Sequence, residues 1–122
     1  VLFRSKINAT KPKPDDADLR ELLDRTGLKR WDPSSPVSKL SHGEKVRIQI
    51  IRHLLLDPQW LLLDEALTNL DDENKVRVLS ILDWEITNKQ VAIIVAQHHP
   101  LPEADHLLCI MNGKMHGPLS PN

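Results

Sequence analysis

The sequence predicts an α/β fold built on parallel strands, and three observations carry that prediction. Two unbroken apolar runs, residues 60–63 and 91–96, are bounded by turn signals, as strands buried on both faces are. Between them residues 72–87 carry Val76, Leu79, Leu82 and Ile86 on one helical face. Strand, helix, strand in that order implies a parallel pair joined by a right-handed crossover. In open α/β sheets ligands bind beyond the carboxyl ends of the strands. Both runs end in chemically capable residues, Asp64-Glu65 and Gln97-His98-His99.

The remaining elements follow along the chain. Residues 1–14 show no period and carry Pro12 and Pro14, which predicts an irregular remnant; a chain beginning with Val1 reads as a piece of a longer protein. Residues 15–26 read as a helix with Leu19, Leu22 and Leu23 on one face, Asp15 or Asp16 as N-cap, and Gly27 just past its end. Residues 31–36 are a loop by composition. Ser41 is a good N-cap for a helix over 42–56, with Val46, Ile50, Ile51, Leu54 and Leu55 at helical spacing. Lys45, Arg47 and Arg52 are expected on its solvated side. Asp57-Pro58 ends that helix. Residues 106–111 and 114–116 read as a hairpin, because the intervening Asn112-Gly113 suits a type I′ turn. Beyond Gly117 a disordered tail is expected over 118–122, leaving 15–117 as the folded unit. Trp31 and Trp60 are expected to be packing residues.

Composition narrows the function. At 122 residues the chain is at most one domain. Its net charge of −1 gives no basic footprint for nucleic acid or for an anionic membrane surface, so no nucleic-acid partner is expected. The apolar runs are far too short to span a bilayer. The single cysteine, Cys109, cannot form an internal disulfide and fits a reducing compartment; its apolar neighbours predict a small buried hydrophobe.

Adjacent carboxylates at a strand end can divide labour, because alternation turns them to different sides. One can hold Mg²⁺ while the other orients or deprotonates a water attacking a phosphate. An imidazole from the next strand can stabilise charge on the terminal phosphate. Ser41-His42-Gly43 at a helix N-terminus offers backbone N–H groups and the positive helix end to an anion. His98, His99 and His106, with Glu103, admit a zinc reading, although Pro100 and Pro102 break any regular ligand spacing.

These residues also carry a resemblance. Leu40-Ser41-His42-Gly43-Glu44 and the basic stretch after it resemble the signature motif of the ATP-binding-cassette (ABC) ATPases. Leu61-Leu62-Leu63-Asp64-Glu65-Ala66 is similar to their Walker B strand, Thr68-Asn69-Leu70-Asp71 to the D-loop, and His98 to the switch histidine of the H-loop. Four such motifs in order and at the right spacing are specific. The resemblance implies a partial P-loop NTPase (RecA-like) core plus part of the ABC helical subdomain.

Carried over residue by residue, the resemblance implies ATP and Mg²⁺ as cofactors and ATP hydrolysis driving transport across a membrane. Ser41, His42, Gly43 and Glu44 would face ATP held on a second nucleotide-binding domain arranged head to tail. Asp64 would assist Mg²⁺, Glu65 would be the general base, Asp71 would couple the two sites, and His98 would sense the γ-phosphate. A transmembrane domain, fused or separate, would be the other partner, and the cytoplasmic face of the membrane the location. The form Asp64-Glu65-Ala66 and residues 15–28 resemble exporter-type members; Leu67-Thr68-Asn69-Leu70-Asp71 resembles some importers.

The sequence departs from the family pattern at four points, one of them Ala66 in place of the proline that often follows the glutamate. His42 replaces the first glycine of the signature pair, which leaves open a degenerate, non-hydrolysing half. His99 beside His98 leaves the switch position open by one residue. None of the four glycines forms a phosphate-binding loop, so the fragment alone is expected to be inactive. A soluble relative acting on ribosomes or DNA is the further alternative.

Overall fold

The computed structural model describes residues 15–120. The expected N-terminal remnant, residues 1–14, lies outside them, as do the last two residues of the expected tail.

Helix α1 (Asp16–Arg25) starts at Asp15, whose carboxylate accepts the backbone N–H of Ala17. It ends at Thr26, whose buried hydroxyl donates to the Leu22 carbonyl at 2.7 Å, a second donor beside the Thr26 N–H at 3.0 Å. Gly27 follows with φ +76°, the left-handed conformation that glycine adopts at no steric cost. A single 3₁₀ turn (Val37–Lys39) precedes helix α2 (His42–Leu54). Helix α2 opens with a reciprocal capping box. Ser41 Oγ accepts from Glu44 N and Glu44 Oε2 accepts from Ser41 N, each at 3.2 Å.

Strand β1 (Trp60–Asp64) pairs in parallel with β2 (Ala92–Ala96), Trp60 opposite Ala92 and Asp64 opposite Ala96. Helix α3 (Asp72–Lys89) makes the crossover, capped by Asp71 at its start and by Gln90 in the left-handed region at its end. This is the parallel unit that the sequence predicts. Strands β3 (Leu107–Met111) and β4 (Lys114–Leu119) form a separate antiparallel hairpin. Asn112 and Gly113 both have positive φ, as a type I′ turn requires. Strand β4 runs to Leu119, so the tail expected from residue 118 is partly strand.

The core lies where α1, α2 and α3 meet the inner face of β1. Ile51, Leu54, Leu61, Leu63, Val78 and Ile81 are among its buried members. Several sequence expectations are corrected here. Strand β1 is buried on one face only: Leu61 and Leu63 point inward, while Trp60 is 65 % exposed and Leu62 lies outside. Trp31 does pack against the core. Helix α3 buries Val78, Ile81, Leu82 and Glu85, with Leu79 packed against the core; of the predicted face Leu79 and Leu82 therefore face inward, while Val76 and Ile86 are exposed. Its apolar residues run most of the way round, and the packing partners choose the face. Cys109 is only half-buried, because β3 stands clear of the core.

Candidate functional site

The carboxyl ends of β1 and β2 lie side by side, and the crossover register decides what meets there. Asp64 is level with Ala96. The next residue, Glu65, turns sharply with φ +51° and donates its N–H to the Ala96 carbonyl at 2.9 Å. A non-glycine residue in that region costs about 1–2 kcal/mol, so the conformation has to be held by its surroundings. Two contacts hold the side chain. Thr68 Oγ1 donates to Glu65 Oε2 at 2.7 Å. His98 Nε2 lies 3.4 Å from Glu65 Oε1. Both partners of the second contact are reached by solvent, so its electrostatic worth is small.

Glu65 and His98 are thus brought together. His99 is not: its ring is exposed, and its backbone carbonyl accepts from Gln97 Nε2 at 2.6 Å. Asp64 is exposed, and its side chain has no hydrogen-bond or ion-pair partner among the described residues. No group of three or more His, Cys, Asp or Glu side chains fit to hold a metal occurs among the described residues. His98, His99, His106 and Glu103 are accordingly not gathered into such a group.

The second half of the candidate site is the start of α2. Ser41 and Glu44 are occupied by their capping box. His42 Nε2 lies 3.3 Å from Asn69 Nδ2, joining this turn to the loop after β1. A Cβ built on Gly43 would sit 3.7 Å from Leu70 Cδ2 and 3.8 Å from the Asn69 carbonyl oxygen, ordinary contact distances. Packing among the described residues therefore does not demand glycine at position 43.

Asp71 caps α3. Its Oδ1 accepts from Asn74 N and its Oδ2 from Asn74 Nδ2, each at 2.8 Å. Those two bonds, with the positive charges of Arg47 and Arg77 nearby, hold its carboxyl below the usual carboxylate range. Asn74 in turn accepts from Arg47 at 2.8 Å. Arg47 is not on a solvated face as the sequence reading expects. It is 7 % exposed and also donates to the Thr26 carbonyl at 2.6 Å and the Gly43 carbonyl at 3.3 Å. One guanidinium thus ties the end of α1, the start of α2 and the cap of α3 together.

Sequence reasoning missed Arg47, Asn74 and Thr68 as contributors. Asn74 had a signal, since an amide three residues after a capping aspartate is placed to bond back to it. Thr68 had a weaker one, a hydroxyl three residues after Glu65. Arg47 had none. A groove of about 530 Å³ lined by Gly27, Trp31, Leu40, Glu44 and Arg77 reaches the start of α2 and includes neither Glu65 nor His98. Asp64 is exposed and Glu65 half-buried. No helix among the described residues is long and apolar enough to cross a membrane.

A sequence model of the ABC transporter family matches residues 2–68. The molybdenum import ATP-binding protein ModC of Shewanella sp. (strain MR-4) is 41 % identical over 88 residues, covering 68 % of this chain and 24 % of that protein. The heavy metal tolerance protein of Schizosaccharomyces pombe is 35 % identical over 77 residues, covering 63 % of this chain and 9 % of that protein. Among solved structures, an ABC transporter ascribed to the metal-chelate type, in an inward-facing conformation, aligns with a TM-score of 0.63 at 25 % identity. That alignment covers 88 % of this chain and 45 % of the other. In each case the chain spans less than half of the protein that it matches.

Proposed function

The chain belongs to the ABC transporter family, and on that footing we propose that it forms the signature, Walker B, D-loop and H-loop side of an ATP-hydrolysing domain that powers transport across a membrane. The observation that carries this reading is the pairing of Glu65 with His98 at the ends of two adjacent parallel strands, beside the exposed Asp64.

In the proposed reaction a water oxygen bonds to the γ-phosphorus of ATP. The bond from that phosphorus to the bridging oxygen breaks, and ADP leaves with the electron pair. The water proton passes to the Glu65 carboxylate. His98 is within reach of both Glu65 and a phosphate placed over it, and its N–H offers a donor to developing charge. Asp64 suits Mg²⁺, which takes one or two protein carboxylates and fills its remaining positions with water and phosphate oxygens. That ion would supply charge neutralisation on the phosphates.

The signature turn serves a different ATP. Ser41, His42, Gly43 and Glu44 would face nucleotide held by a second such domain, arranged head to tail. Glycine at position 43 is explained there, by close approach of backbone to phosphate, since packing among the described residues leaves it unexplained. Asp71 would lie near that dimer seam. A transmembrane domain, fused or separate, would be the mechanical partner at the cytoplasmic face of the membrane. The relatives include a molybdenum import ATP-binding protein and a heavy metal tolerance protein, which does not favour a parent acting on ribosomes or DNA.

The test is Glu65→Gln in the protein that carries this chain together with a phosphate-binding loop. Turnover is expected to fall at least about 10²-fold, the scale of a lost general base, while ATP affinity stays. Turnover near the unmodified rate would refute the assignment.

A further inference from the structure

We propose that Thr68 is a positioning residue for hydrolysis, holding the Glu65 carboxylate in the one orientation that presents its other oxygen to His98 and the attacking water. This rests on the reading of Glu65 as the group that takes the water proton.

Three observations support it. The Thr68 Oγ1 to Glu65 Oε2 distance of 2.7 Å is that of a well-formed O–H···O bond. The other oxygen, Oε1, is the one that faces His98. One hydroxyl therefore fixes which carboxylate oxygen is free for chemistry. Thr68 is itself held from below. Leu67, 1 % exposed, and Leu70, 9 % exposed, bury their side chains on either side of it. The Leu70 N–H donates to the Leu67 carbonyl at 3.3 Å, closing the turn. Two buried leucines thus anchor an exposed hydroxyl against the carboxylate.

A glutamate terminus turns readily about its last torsion, whose well is broad. Without the Thr68 bond the carboxylate keeps only its long contact to an exposed imidazole. Thr68 touches no reacting atom in this scheme, so its effect passes through Glu65 alone.

The experiment compares Thr68→Val, Thr68→Ser and Glu65→Gln, singly and combined, in the full transporter. For Thr68→Val, kcat is expected to fall about 10-fold, within the range that small misplacements of a reacting group produce. KM, the affinity for a fluorescent ATP analogue and the melting temperature are expected to stay. Thr68→Ser, which keeps the hydroxyl, is expected to restore the rate to within about 2-fold, as a restored hydrogen bond should. In single-turnover measurements on the Glu65→Gln background, Thr68→Val is expected to add no further loss. A full-rate Thr68→Val, an equal loss in the Glu65→Gln background, or a parallel loss of ATP affinity overturns the proposal. If Glu65→Gln itself hydrolyses ATP normally, the reading of Glu65 fails instead.

Discussion

Replacing Arg47 by Met tests whether the guanidinium is structural glue or surface decoration. Methionine keeps an unbranched apolar stem and removes the guanidinium with its charge and its donors. The structure sets the size of the effect. Arg47 is 7 % exposed and donates to Thr26 O at 2.6 Å and to Asn74 Oδ1 at 2.8 Å. Its third bond, to Gly43 O at 3.3 Å, is long and counts for little. Stranding a buried acceptor costs about 1–3 kcal/mol. Thr26 is fully buried, so its carbonyl bears the upper part of that range, while the Asn74 amide can turn toward water and bears the lower. Losing the desolvated cation offsets a little of this. The net expectation is a loss of roughly 2–4 kcal/mol, a large share of the roughly 5–15 kcal/mol that holds a typical domain folded. Urea denaturation of the domain, with slope and midpoint both fitted, reads this directly. A midpoint that moves by less than the equivalent of about 0.5 kcal/mol, the range of ordinary surface substitutions, would refute the buried-anchor account.

Two further outcomes follow from the same network. Gly27→Ala is expected to lower stability by about 1–2 kcal/mol, the penalty of a side chain in the left-handed region, and to disturb Arg47. The new Cβ would lie 3.3 Å from Arg47 Nη1. An unchanged melting temperature would count against this. For Asp71, the Asn74 bonds hold the carboxyl low in the folded state. Its contribution is therefore complete above the ordinary unfolded value of about 3.9 and fades as pH falls through the lower folded value. Asp71→Asn should then flatten the acid side of a urea-midpoint-against-pH curve, and curves that fall in parallel would contradict it.

Much of this architecture is legible in local sequence, and the illegible parts share a cause. The Ser41 cap and the Asn112-Gly113 turn are local devices, so residue identity within a few positions decides them. The parallel pair is legible because two short apolar runs flank a helix-length segment. The buried face of α3 is legible only in part, through Leu79 and Leu82. Val76, Leu79, Leu82 and Ile86 make a cleaner apolar stripe than the true one, which includes Glu85. Glu85 is buried beside Lys89, 3.3 Å away, and nothing local foretells that. Strand β1 reads as buried on both sides because its run is unbroken, but only its inner face meets helices in this chain. Arg47 bonds to residues 21 and 27 positions away, so no window of sequence contains its reason. At the candidate site the motif order locates Asp64, Glu65 and His98. Which histidine meets Glu65 depends on the strand register and the turn at Gln97, which only the folded chain fixes.

The crossover between β1 and β2 also governs when this site comes into being. The β3–β4 hairpin closes through two residues, and such hairpins form in about 1–10 μs. The β1–β2 pair cannot close until α3 and both its connections are laid down, and pairing across so long a segment is slow. Glu65 leaves the ribosome with the first strand, and His98 follows only after the second. The carboxylate therefore meets its imidazole late, once the helix between them has docked. A nascent chain halted before β2 carries Glu65, Thr68 and the signature turn without the partner strand that gives Glu65 its backbone bond.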